Sequence, residues 1–208
     1  MPIGWVVKLG GSLWASDELP HWLNGLARTP AVIVPGGGLF ADAVRVTQRR
    51  WHFADAAAHD MAIEAMAQYG RLLCALCPEL RPATGLAELT ALAASHRSAV
   101  WLPDPGHLST APLAADWTVS SDTLAAWLAE QLGAGQLLLV KSTDLPDNAR
   151  NVDELVARGI IDSAFPGQTR GSTRRIWLSG SRWHARLEEG LATPEAVFIE
   201  ALPSRRVG

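Results

Sequence analysis

The chain alternates short, uninterrupted apolar runs with longer segments whose apolar residues recur every three or four positions. Residues 4–10 form the first run, broken only by Lys8 and closed by Gly10. Residues 31–35 form a second, which passes straight into Gly36, Gly37 and Gly38. Further runs lie at 98–103, 135–141, 174–180 and 196–200. Short runs that are apolar at every position predict strands buried on both faces. Helical spacing, on an alanine-rich background, predicts helices over 39–51, 55–77, 84–94, 121–132, 153–158 and 182–190. Ser120 or Ser121 is placed to cap the helix at 121, with Asp122 in its first turn. Residues 146–152 read as a polar turn. Strands alternating with helices predict an α/β chain, a three-layer αβα sandwich with a mainly parallel sheet. With no repeat, low-complexity segment or linker in view, residues 1–208 are expected to form a single domain.

Composition changes this picture little. A 208-residue chain that is 48% hydrophobic has enough apolar material for a substantial core. A net charge of -3, with no run of like charges, points neither to nucleic acid nor to a membrane surface. The start lacks the basic region and apolar stretch of a signal peptide, and no apolar run approaches the roughly 18 residues of a membrane span. A cytoplasmic location is expected. Cys74 and Cys77 stand as CxxC, but without a second pair for zinc. Pro78 follows them as at a helix end, so two half-buried thiols are expected. Most of the nine tryptophans are expected in the core. Of eighteen basic residues only Lys8 and Lys141 are lysines, leaving 16 arginines. Two lysines kept in so arginine-rich a chain suggest positions that need a compact ammonium on a flexible stem.

In open α/β sheets ligands bind beyond the carboxyl ends of the strands, and three strands here end in distinctive chemistry. The first gives Lys8-Leu9-Gly10-Gly11-Ser12, the second Pro35-Gly36-Gly37-Gly38, and the run at 135–141 gives Lys141-Ser142-Thr143-Asp144. Glycines at a strand end let backbone N–H groups approach an anion, and a following helix adds its positive end. Two such turns suit two phosphate-bearing groups, although each alone also fits a tight turn. Gly36, Gly38 and Ala41 match a loose dinucleotide fingerprint, but no acidic residue closes a strand about 20 residues on. A P-loop with its Gly-Lys-Ser/Thr ending is absent. Asp122 reads either as a dipole-favouring charge or as a carboxylate that orients lysines. His52, Asp55, His59 and Asp60 cluster, but the histidines share a face only if one helix is unbroken. Trp117 is a candidate stacking surface for a flat substrate.

Taken together, residues 8–12, 35–38, 120–125 and 137–145 resemble the amino acid kinase superfamily, over most of the chain. Residues 34–45, 57–66 and 116–129 look more narrowly like the small kinases of methanofuran biosynthesis in methanogens and methylotrophic bacteria. The resemblance implies the amino acid kinase fold, ATP with Mg²⁺ held by its phosphates, and no metal bound by the protein itself. It implies conversion of (5-(aminomethyl)furan-3-yl)methyl phosphate to its diphosphate. By position, Lys8, Asp122 and Lys141 would be catalytic. Gly10, Gly11, Ser12, Lys141, Ser142, Thr143 and Asp144 would bind ATP. Gly36, Gly37, Gly38, Asp42, Arg45, Trp117 and Ser121 would bind the small phosphorylated substrate. The family's C-terminal catalytic lysine has no counterpart in 160–171, so Lys141 or an arginine such as Arg170 would supply that charge. A homodimer or higher homo-oligomer is expected, with 55–77 as its apolar face. The rivals are a related enzyme with a carboxylate, carbamate or nucleotide acceptor, a non-catalytic nucleotide or oxyanion binder, and a nicotinamide oxidoreductase.

Overall fold

Seven strands form one sheet in the order β3-β4-β2-β1-β5-β6-β7. They are β1 (Trp5–Leu9), β2 (Ala31–Pro35), β3 (Arg81–Ala83), β4 (Ala99–Trp101), β5 (Gln136–Lys141), β6 (Arg175–Gly180) and β7 (Ile199–Glu200). The computed structural model describes residues 3–143, 145 and 150–202. All strand pairs are parallel except β6 with β7. The α/β class and mainly parallel sheet are therefore as the apolar runs predict. Unpredicted elements include β3, a three-residue edge strand containing Pro82, and the helices α1 (Leu19–Leu26), α5 (Pro105–Leu108) and α8 (Phe165–Thr169). Each of these is short or carries a proline, which blurs its period. The remaining helices are α2 (Gly38–Trp51), α3 (Asp55–Leu76), α4 (Leu86–Ala94), α6 (Ser121–Gln131), α7 (Val152–Ala157) and α9 (Leu187–Ala192).

The apolar runs conceal a period of two. Val6, Val32, Val34, Leu137, Leu139 and Leu178 join one core cluster, with α4, α6, α7 and Phe165 of α8. Their strand neighbours Val7, Leu9, Ile33, Leu138, Val140 and Trp177 join a second, with α1 and Leu187. Helix α3 contributes Ile63 and Met66 to the first cluster, and Tyr69 and Leu73 to the second. Each face of the sheet is thus sealed by helices, which is what a sheet apolar on both sides requires.

Only Trp5, Trp22, Trp101 and Trp177 among the tryptophans are buried, so the expectation that most are core is corrected. Trp14, Trp51 and Trp183 are exposed, their rings left on helical turns at the surface. Cys77 is buried at the end of α3 and Cys74 half-buried beside it. Burial, first among several causes, raises both thiols, which keeps them protonated.

Candidate active site

Strand parity explains the two lysines. Lys8 lies two residues beyond Val6, and Lys141 two beyond Leu139, so both side chains leave the sheet on the face covered by α6. Lys8 pairs in register with Leu139, which makes Lys141 its diagonal neighbour at the carboxyl edge. β1 lies between β2 and β5, and the chain passes from one side of it to the other. That edge is the topological switch point, where open α/β sheets bind ligands.

Asp122 sits over both lysines from the first turn of α6. Its Oδ2 accepts a hydrogen bond from Lys141 Nζ at 2.6 Å. Its Oδ1 lies 2.9 Å from Lys8 Nζ, a charge contact outside hydrogen-bond alignment. All three are at least nine-tenths buried. Burial alone would raise the Asp122 carboxyl, but the two ammonium groups outweigh it and hold it down at about 2. Burial, reinforced by the Lys8 ammonium, pulls Lys141 down to about 8 against the attraction of Asp122. Two cations share one carboxylate, so the triad carries a net positive charge where it meets the cavities.

The glycine turns pack directly on each other. A Cβ on Gly11 would lie 2.3 Å from Gly38 N, and one on Gly36 would lie 2.2 Å from Gly11 N. No side chain fits at either position, and the two backbones form one floor. Gly36 N donates to Leu9 O at 2.8 Å and Gly10 N to Val140 O at 3.0 Å, which extends the sheet bonding into both turns. Gly38 adopts a φ of 53°, in the left-handed region, as it opens α2. No side chain caps that helix, so its first amides remain free for an anion.

Two cavities meet on this floor, at Gly11 and Ser12. One, of about 360 Å³, is lined by Lys8, Gly10, Lys141, Ser142, Thr143 and Arg158, among others. The other, of about 270 Å³, is walled by one face of α2 and one face of α3. Gly38, Asp42 and Arg45 come from α2, and His59, Ile63 and Met66 from α3, each set at three- to four-residue spacing. Trp117 and Ser121 close it. Ser12 Oγ and Ser142 Oγ lie 2.6 Å apart and tie the first turn to the loop after β5.

No protein-family model matches the sequence. Over 174 residues the chain is 25% identical to the [5-(aminomethyl)furan-3-yl]methyl phosphate kinase of Methanocaldococcus jannaschii, spanning 77% of this chain and 80% of that one. The uridylate kinase of Archaeoglobus fulgidus superposes with a TM-score of 0.63 at 20% identity, over 86% of this chain and 90% of that one. The UMP kinase of Bacillus anthracis does so with a TM-score of 0.64 at 14% identity, over 87% and 88%. The chain has the amino acid kinase fold.

Within this amino acid kinase fold, most residues singled out from the sequence gather around the shared floor. Gly36 is an exception, because it is packed under Gly11 rather than exposed on a cavity wall. Trp117 lines the helix-walled cavity, but the Arg45 guanidinium already covers its ring at 3.9 Å, and its Nε1 donates to Gln48 at 2.6 Å. A flat ligand therefore meets at most its other face. Asp144 lies outside the described residues. Arg170 lines a separate cavity with Glu130 and Gln168, away from the two lysines. Arg158 lines the lysine cavity instead, at the C-terminal end of α7.

The two histidines separate because α2 ends at His52, which turns left-handed with a φ of 55°. His59 alone reaches the cavity. Among the described residues no group of three His, Cys, Asp or Glu is arranged to hold a metal, and no helix is long and apolar enough to cross a membrane. The sequence reading also missed Asp162. Its signal was available, since an aspartate three residues before Phe165-Pro166 is a helix-capping pattern.

Proposed function

We propose that the chain is an ATP-dependent kinase whose acceptor is itself a phosphate, and that the acceptor is (5-(aminomethyl)furan-3-yl)methyl phosphate of methanofuran-type cofactor biosynthesis. The observation that carries this reading is the meeting of two cavities on one glycine floor. The lysine cavity suits the donor nucleotide. Lys8, Lys141 and Arg158 would hold its phosphates, with Gly10, Gly11, Ser12, Ser142 and Thr143 around them. Mg²⁺ would arrive on those phosphates and neutralise part of their charge. The helix-walled cavity suits the acceptor. Gly37 and Gly38 would hold its phosphate at the start of α2, and His59 is the one polar side chain that α3 adds to the wall.

The chemistry follows from this geometry. An acceptor oxygen bonds to the terminal phosphorus of the nucleotide while the bond to the bridging oxygen breaks, leaving ADP and a diphosphate. That acceptor oxygen is already anionic at neutral pH, so no base need remove a proton. The obstacle is repulsion between two anions, and the net positive Lys8–Asp122–Lys141 unit opposes it. Positioning and charge stabilisation are the protein's whole task in such a transfer.

The similarity to a kinase for this substrate supports the choice of acceptor, as does the wall itself. Asp42 is the sole carboxylate on it and has no partner among the described residues, which suits an ammonium on the substrate. The test is turnover of ATP with the aminomethyl-furan phosphate, UMP, carbamate and a carboxylate in parallel, following product mass. The reading requires a diphosphate product from the first. Faster turnover of UMP or a carboxylate would replace the acceptor, and ADP release independent of any acceptor would remove kinase function altogether.

Self-association belongs to the same reading. Among the exposed large apolar side chains of the described residues, Leu39, Val46 and Trp51 lie on α2, and Met61 and Leu76 on α3. The inward side of α3 is spent on the core. The expected homodimer face on α3 therefore extends onto α2, and light scattering at micromolar concentration tests whether the chain dimerises.

A further inference from the structure

Asp162 is the most heavily engaged carboxylate among the described residues. Its Oδ2 accepts from Ser120 N at 3.1 Å, Ser120 Oγ at 2.7 Å and Thr123 N at 3.0 Å. Its Oδ1 accepts from Phe165 N at 3.0 Å and from Thr123 Oγ1. Two of these donors are first-turn amides of α6 or its cap, groups left without intrahelical partners. One carboxylate thus joins the start of α6 to the start of α8. A helix cap alone would require one such bond, commonly from the capping side chain itself, and Ser120 already accepts from Asp122 N at 3.4 Å.

The location gives those bonds a consequence. Asp122, which organises both lysines, is two residues beyond Ser120 and one before Thr123. On the other side, Asp162 lies two residues beyond the stretch Arg158, Gly159 and Ile160, which lines the lysine cavity. We propose that Asp162 is a positioning residue that fastens the nucleotide-side segment 158–162 to the start of α6, so that Arg158, Asp122 and Lys141 are held as one unit. It touches neither reacting group and acts through the others. The inference rests on the lysine cavity being the nucleotide site. It is independent of which acceptor the second cavity takes.

Asp162 also acts on Lys141 through charge. The charged groups acting on Lys141 are Lys8 from β1, Asp122 from α6 and Asp162 from the segment after α7; Arg158 lines the same cavity and is ion-paired with Glu154 of its own helix. The Asp162 carboxylate favours the ammonium form of Lys141. Removing it lets Lys141 lose its proton at lower pH. A purely structural cap would not move that titration.

The experiment is calorimetric binding of ADP, without acceptor, between pH 7 and 10, on the parent, Asp162→Asn and Thr123→Val. The parent should lose affinity as Lys141 deprotonates. Asp162→Asn should bind ADP about tenfold more weakly at neutral pH, and its loss of affinity should begin at lower pH. Thr123→Val removes a donor but no charge, so its affinity should fall while the pH of the loss stays put. An Asp162→Asn protein that binds like the parent with an unmoved titration, and only melts earlier, reduces Asp162 to a cap and overturns the inference. If Asp162→Asn does not fold, Ser120→Ala and Thr123→Val decide: parental ADP affinity in both overturns it. A parent whose ADP affinity ignores pH overturns it as well, by removing Lys141 from the nucleotide site. The acceptor assignment fails separately, through the turnover panel.

Discussion

The two cavities that meet at Gly11 and Ser12 are built by different means. The lysine cavity is made of strand ends: β1, β5 and the turns that continue them, fixed by sheet hydrogen bonds and by backbone packed on backbone. The helix-walled cavity is made of side faces of α2 and α3, with Arg45 stacked on Trp117 and Asp42 without a partner among the described residues. Backbone amides and buried ammonium groups recognise charge and little else. Side chains projecting from helices recognise shape, apolar surface and single polar groups. The first design suits a group common to many reactions, such as a nucleotide polyphosphate, and the second suits one particular acceptor. Damage on the lysine side should therefore abolish transfer for every acceptor, while damage on the helix side should change which acceptor is used.

The largest effect is expected from Lys8→Ala. Losing a buried, preorganised charge at the transferred group costs about 10²–10³ in rate. Turnover should fall by that amount with every acceptor tested, while the circular dichroism spectrum stays parental. A loss confined to one acceptor would place Lys8 on the wrong side of the divide.

Asp122→Asn comes next. It keeps the shape but leaves two neighbouring ammonium groups without the carboxylate that holds them 2.9 and 2.6 Å away. kcat should fall strongly and ATP affinity less. Residues acting as a unit are non-additive, so adding Asp122→Asn to Lys8→Ala should cost little more than Lys8→Ala alone. A double variant that loses the product of both single effects would mean three independent groups. A lower melting temperature with kcat intact would leave Asp122 as a dipole charge only.

How far the sequence revealed each cavity follows from the same contrast. The lysine cavity is encoded in contiguous motifs, so Lys8, Gly10, Gly11, Ser12 and Lys141 are legible in the sequence. The shared face of the lysines is not legible from parity alone, since it depends on the register that pairs Lys8 with Leu139. The helix-walled cavity is encoded in residues three and four apart on α2 and α3, a spacing that ordinary core packing also produces. His59 could not be told from a surface histidine until the break at His52 fixed where α3 begins. Arg158 and Asp162 were hidden for another reason. Their approach to the lysines depends on the packing of α8 against α6, a long-range contact that the local capping pattern at Asp162 does not reveal. Gly36 packs against Gly11 rather than on a cavity wall, and a glycine required by another backbone looks, in sequence, like one that meets a ligand.

A smaller effect concerns pH and again marks the lysine side. Lys141 is depressed to about 8 from its ordinary 10.5, so in the free enzyme its positive charge disappears as pH rises through that value. kcat/KM, which reports the free enzyme, should decline above about pH 8, approaching tenfold per unit. Bound anionic substrates favour the ammonium, so the decline in kcat should begin at higher pH. Unfolding is not the cause. Between about 8 and 10.5 the unfolded chain binds the proton that the folded lysine has lost, so the Lys141 contribution to stability rises with pH over that window. Lys141→Arg keeps its charge throughout and should flatten the decline even at reduced rate. A decline that persists unchanged in Lys141→Arg assigns it to another group. The Asp122 carboxyl, held at about 2, contributes no acid limb near neutrality.

The smallest effect should come from Asp42→Asn, and it tests the helix side alone. Asp42 is exposed on the first part of α2, on the face that also presents Gly38 and Arg45. If the acceptor phosphate sits at Gly38, the far end of a small acceptor extends along that face. A cationic amine there would find Asp42 as the only carboxylate that the described residues place on the wall. An exposed ion pair contributes about 1 kcal/mol at most, equivalent to about fivefold in affinity. Asp42→Asn should therefore raise KM for the aminomethyl-furan phosphate by no more than about fivefold, with kcat and KM for ATP unchanged. The corresponding acceptor without its amine should bind the parent and the variant alike. If the variant weakens both acceptors equally, Asp42 shapes the cavity rather than reading a charge. If it weakens ATP as well, the two cavities are not separate recognition sites, and the division at Gly11 and Ser12 does not describe how this protein selects its substrates.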